Sequence, residues 1–139
     1  MTPTLDDVIG TLHGTWRTYL QPGQLYDEAA LTMEVVRTDS GWLITYEGPI
    51  KEDDVTGSMR ITADGSAITW NDTWHTEGED ADLVAAGGPP SYTYGPDDER
   101  WTWSIDIRPG EHALEIVHTN APPGMDPAVA VVMELTPDG

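Results

Sequence analysis

"SMRITADGSAITWNDTWH", residues 58–75, sets two short alternating runs on either side of Ala63-Asp64-Gly65-Ser66. Met59 and Ile61 share one parity in the first run; Ile68, Trp70, Asp72 and Trp74 share one in the second. A period of two belongs to a strand with one buried face. Asp-Gly between two such runs marks a hairpin, because glycine adopts the positive φ that a tight turn needs. The pattern recurs on both sides. "LTMEVVRTDSGWLITYEG" (31–48) reads as two strands around Thr38-Asp39-Ser40-Gly41, and "GTWRTYL" (14–20) alternates before it. "RWTWSIDIR" (100–108) turns at Pro109-Gly110 into "HALEIVHTN" (112–120), and "AVAVVMELT" (128–136) follows the loop "APPGMDP". The stretch 77–99, with "AAGGPPSYTYGPDDE", is expected to be a long loop around one short strand. Thr4 with Asp7 fits a capping box, which predicts a helical turn or two over 4–12, apolar through Leu5, Val8, Ile9 and Leu12, in a helical leader 1–13. Eight to ten short strands joined by tight turns predict an all-β fold: a single antiparallel up-and-down β-barrel spanning 1–139, its closed end capped by the leader.

Composition narrows the function. The chain has 139 residues, no cysteine, and 25 Asp and Glu against 6 Lys and Arg, for a formal net charge of -19. Without thiols no disulfide or thiolate metal site exists. So negative a surface repels phosphates and anionic headgroups, which argues against nucleic acid and membrane partners. The start "MTPTLDDVIG" lacks the basic and apolar regions of a secretory signal, so a cytoplasmic location is expected. The acidic runs "KEDD", "EGEDAD" and "GPDDE" supply oxygen ligands but not the spacing of an EF-hand loop, and no metal site is expected.

A short helical leader followed by Gly14-x-Trp16 on the first strand resembles the calycin superfamily, the lipocalins and streptavidin-like barrels. With "TWNDTWH" and the ending "EIVHTNAPPGMDPAVAVVMELT", the whole chain is most similar to an uncharacterised bacterial family, domain of unknown function fifteen-seventy-nine. The resemblance implies the barrel fold, with Trp16 plugging the closed end, and no established activity. Lipocalins place a basic residue of the last strand over that tryptophan. Here 128–136 holds no Lys or Arg, and Arg37 is expected to stack on Trp16 instead.

Taking the more apolar parity of each strand as inward places all six tryptophans inside, along with Leu20, Val129 and the polar Arg37, Tyr46, Asp72 and His118. With strands alternating up and down from Trp16, the closed base is expected to hold Trp16, Arg37, Trp42, Trp101 and His118. The opposite end is expected to bind a ligand through Tyr46, Trp70, Asp72, Trp74 and Trp103, where indole walls surround one orienting carboxylate. Asp72 either faces that interior, is turned out by a bulge near Asn71, or accepts local backbone N–H bonds.

No His-x-His, His-Glu-x-x-His, Gly-x-Ser-x-Gly or phosphate-binding glycine loop occurs. His75 falls on the outward parity. Asp72 and His118 would make an acid–base pair, but the direction argument puts them at opposite ends, so no catalytic residue and no cofactor are expected. The leading expectation is a binding barrel for a largely apolar, uncharged or cationic small molecule. A filled barrel acting as a monomer or homodimer, through Leu43 with Val36 or Val117 with Val132, is the alternative. An enzyme, or a haem held by His75 or His118, is the lesser one.

Overall fold

A computed structural model describes residues 3–137. Ten strands form one closed antiparallel barrel: β1 Gly10–Gln21, β2 Gln24–Thr38, β3 Gly41–Ile50, β4 Asp53–Thr62, β5 Ala67–Asp72, β6 Ala81–Val84, β7 Ser91–Tyr94, β8 Trp101–Pro109, β9 Leu114–Ala121 and β10 Ala128–Pro137. Each strand pairs with its sequence neighbours, and β1 pairs with β10 to close the circle. Among the described residues every strand is paired on both sides, though β6 and β7 meet at a single position. Among the described residues no helix is long and apolar enough to cross a membrane.

The hairpins form where turn chemistry places them. Thr38 pairs with Gly41, and Asp64 caps the next turn by accepting from Ser66 N (3.0 Å), Ser66 Oγ (2.7 Å) and Thr62 Oγ1 (2.8 Å). These bonds, those from Ser66 foremost, hold the Asp64 carboxyl down at about 2. Gly14 meets a packing demand. A Cβ there would lie 1.8 Å from the Glu134 carbonyl oxygen, so only glycine lets β10 pass this close to β1.

Alternate residues turn inward and leave water: Leu12, Trp16, Met33, Val35, Ile44, Val55, Met59, Trp70, Ile105, Ile116, Val131 and Met133 are each at most 1% exposed. Each such side chain stabilises the fold by roughly 1.5 to 3 kcal/mol relative to exposure. Parity fails where the ladder slips. A register shift between Val129 and Val131 leaves Val129 41% exposed while Ala130 is buried, and shifts near Tyr19 leave Leu20 59% exposed. Trp74 and Trp101, expected inside, are half-buried, because Trp74 lies past the end of β5 and Trp101 starts β8.

The leader is shorter than expected. The Thr4–Asp7 capping box is present, but it caps only a 3-10 turn, Leu5–Val8; β1 begins at Gly10, Ile9 is 47% exposed, and Leu12 is a buried strand residue. Positions 1 and 2 of the expected leader lie outside the described residues. The turn sits at the end formed by Trp42, Ile61, Ile68, Ile105 and Ile107, beside a crevice of about 320 Å³, and Asp6 accepts the Trp42 indole N–H at 2.9 Å.

The stretch 77–99 holds two strands, β6 and β7, rather than one. Because each antiparallel strand reverses direction, one extra strand inverts every strand after it. Trp101, Trp103 and His118 therefore lie at the end opposite the 3-10 turn. Pairing across the β6–β7 seam is confined to Val84 with Ser91, near the base, so toward the other end Tyr92 and Tyr94 bond to β8 alone.

Candidate functional site

Of the residues expected at the base, only Trp42 and Arg37 are there. The Arg37 guanidinium is exposed and lies 4.8 Å over the Trp42 ring rather than on Trp16. Trp16 belongs with the other end: it stands edge-on to Tyr46 at 5.9 Å and donates its indole N–H to the Pro49 carbonyl at 3.0 Å. His118 and Trp101 have moved with the inverted strands.

At that end, the mouth, Tyr46, Trp70, Asp72, Trp74 and Trp103 come together. Gly57, opposite Asp72, makes room: a Cβ there would lie 2.2 Å from Tyr46 Cζ and 2.7 Å from Asp72 Cβ. Strand β5 ends at Asp72 because its carboxylate captures the backbone that follows. Oδ1 accepts the N–H groups of Trp74 (3.0 Å), Thr76 (3.2 Å) and His75. Oδ2 accepts the Tyr46 hydroxyl at 2.9 Å and lies 2.7 Å from His75 Nδ1, while Trp70 donates its indole N–H to the Tyr46 oxygen at 2.9 Å. Asp72 is 1% exposed, so two of the open readings hold together: it faces inward and accepts local N–H bonds. Burial pushes the carboxyl up, yet the bonds and charge of His75, with the Tyr46 hydroxyl, hold it at about 2. Burial, and then the Asp72 charge, raises the Tyr46 hydroxyl well above the usual phenol range.

An ionised Asp72 only accepts, so the proton between the pair sits on His75 Nδ1, and in the neutral ring Nε2 keeps a free lone pair. His118 has the opposite tautomer. The Trp103 indole, a pure donor, gives its N–H to His118 Nδ1 at 3.0 Å, so the proton of His118 is on Nε2, which is buried without a hydrogen-bond partner. Burial, reinforced by His75 and opposed by Asp72, holds the His118 pKa down at about 3.

The rings interlock. Trp70 stacks on Trp103 at 5.2 Å and meets His118 at 5.0 Å and His75 at 5.7 Å, while the two imidazoles lie 6.4 Å apart and nearly parallel. Trp74 stands edge-on to His75 at 4.9 Å and donates to Asp53 at 3.3 Å. Outside this cluster the half-buried Tyr92, Tyr94 and Trp101 form a ladder at 5.6 and 6.4 Å, with Tyr94 donating to Asn120 at 2.7 Å. Burial, with Tyr94 and the Asp72 charge, raises the Tyr92 hydroxyl, so Tyr92 feels the same carboxylate. A haem does not fit here. The Trp103 N–H on His118 Nδ1 keeps the His118 proton on Nε2, the nitrogen an iron would need, and a macrocycle on His75 would displace the core indoles Trp70 and Trp103, the latter 5.5 Å from its ring.

His118 gives a pH prediction. The unfolded chain protonates this residue near 6.5 and the folded chain only near 3, so its contribution is complete above 6.5 and falls as pH drops. Urea unfolding should show wild type losing about 2 kcal/mol more than His118→Phe between about pH 7 and pH 5. Equal losses would mean that His118 titrates normally in the folded chain.

Sequence reasoning placed the five mouth residues but missed His75, Tyr92 and the correct end for His118. The available signal for His75 was "DTWHT": an aspartate followed by residues whose N–H groups it can capture ends a strand and cancels its parity. No protein-family model matches the chain, and no curated protein matches it in sequence.

Proposed function

We propose that the protein is a small-molecule-binding barrel of calycin type, akin to domain of unknown function fifteen-seventy-nine, working in the cytoplasm apart from membranes and nucleic acid. Its ligand is largely apolar, uncharged or cationic, and docks at the mouth against Trp74, His75, Tyr92, Tyr94 and Trp101. The observation that carries this reading is a buried, ionised Asp72 that fixes His75 among aromatic rings, beside a seam paired at a single position. Rings pre-positioned in this way bind without paying an ordering cost. The net charge of -19 disfavours anionic ligands.

The uncharged fluorophore N-phenyl-1-naphthylamine tests this. Saturable binding should quench indole emission and weaken roughly tenfold in Trp101→Ala, the worth of one aromatic contact. Binding untouched by Trp101→Ala would move the site to the crevice beside Trp42, and no binding at all would end the reading. One observation favours the filled-barrel alternative: Trp70, Trp103, His75 and His118 occupy the mouth interior at ring distances of 5.0 to 6.4 Å. That reading, with homodimers through exposed Leu20, Leu25 and Val129 rather than the expected Val36, Leu43, Val117 and Val132, of which Val117 is buried, would then be tested by sedimentation.

A further inference from the structure

We infer that His75 is a general base acting on water at the mouth, and that the protein hydrolyses small uncharged esters bearing an aromatic group; this rests on the mouth being the ligand site. A general base needs a lone pair within reach of water, a fixed tautomer, and a partner that stabilises the cation formed on proton uptake. His75 has all three. Its side chain is 8% exposed, and Nε2 is not among the buried atoms that lack a partner, so water reaches it. Asp72 holds the proton on Nδ1 at 2.7 Å and is itself fixed by Tyr46 and three backbone N–H groups. Imidazolium formation therefore occurs beside a charge already in place, with little reorganisation.

The titratable groups around His75 are few. Asp72 comes from β5, His118 from β9 and Tyr46 from β3, with Tyr92 of β7 within electrostatic reach of the carboxylate and Asp53 of β4 behind Trp74; β8 presents Trp103. His118 remains neutral, with its Nδ1 occupied by Trp103, so the mouth holds one carboxylate in contact with His75 and one free imidazole lone pair. Indole and phenol walls suit an aryl group, and the acidic surface disfavours anionic esters.

In the step inferred, a water O–H proton passes to His75 Nε2 as the water oxygen bonds to the ester carbonyl carbon. The tetrahedral intermediate collapses with cleavage of the bond to the aryloxide, which leaves with that electron pair. The imidazolium then passes that proton to the departing aryloxide, directly or through solvent, giving a carboxylic acid and a phenol.

The experiment uses the full chain with two probes. 4-Nitroacetophenone, which cannot be hydrolysed, reads binding through indole quenching; p-nitrophenyl acetate reads turnover. The expected result is saturable turnover that slows in deuterium oxide. It should fall at least roughly a hundredfold in His75→Gln. It should not change on replacing the exposed His13 and His112 by glutamine. Carbethoxylation of His75 in the folded wild type, located by peptide mass and reversed by hydroxylamine, gives the same comparison without a substitution. Ketone binding with turnover no faster than in His75→Gln would overturn the base assignment and leave the mouth as a binding site. Neither binding nor turnover would remove both readings, and turnover that survives loss of His75 would assign the chemistry to another group.

Discussion

Replacing Asp72 with alanine should cost about 3 to 5 kcal/mol of stability, since several buried donors lose their acceptor at roughly 1 to 3 kcal/mol each. The carboxylate is 1% exposed and accepts from Tyr46, from His75 Nδ1 and from the N–H groups of Trp74, His75 and Thr76. Alanine leaves all of these donors without an acceptor, most of them away from water, and removes the residue that ends β5 and folds 73–76 over the mouth. Asparagine keeps one acceptor oxygen, so Asp72→Asn should lose less stability. Its amide must nevertheless donate to His75 Nδ1, which forces the imidazole proton onto Nε2 and removes the lone pair that the mouth presents. Urea unfolding followed by far-ultraviolet circular dichroism gives the stability. A loss under about 1 kcal/mol for alanine, the size of surface effects, would mean that the carboxylate faces solvent.

Trp16→Ala should also cost about 3 to 5 kcal/mol, as for a large aromatic lost from a core. Trp16 is 1% exposed, its indole N–H is satisfied by Pro49, and its edge packs on Tyr46, which bonds Asp72. The substitution should therefore loosen the mouth as well as the core. It should perturb the Tyr46 ring resonances more than those of Trp42, which lies at the other end under the 3-10 turn. A change below about 1 kcal/mol would remove Trp16 from the core altogether.

Period-two alternation and the two Asx-containing turns made the barrel legible, because burial of one face and turn geometry are local properties of a sequence. The inward parity of Trp70, Asp72 and Trp103 was legible for the same reason. What was not legible depended on counting. The Gly- and Pro-rich 77–99 carries β6 and β7, each of four residues, too short for alternation to stand out. Missing one of them reversed the direction of β8 to β10 and sent His118 to the wrong end, away from Asp72. His75 was missed for a different reason: its orientation is set by the Asp72 carboxylate rather than by strand pleating, so parity did not apply to it. Val129 and Leu20 failed at register shifts, which leave no mark in the hydrophobic pattern.

Two imidazoles with opposite tautomers, brought to one end of the barrel by strand count, define the mouth. Long-range proton–nitrogen correlation on histidine-labelled protein reports each ring nitrogen separately. At neutral pH, His118 should carry its proton on Nε2 and stay neutral as the pH falls to about 4, above its folded pKa near 3. The neutral form of His75 should carry its proton on Nδ1, with Nε2 deprotonated. Finding His75 protonated on Nε2 when neutral, or His118 titrating like a surface histidine, would contradict the Asp72–His75–His118 arrangement and every functional reading built on it.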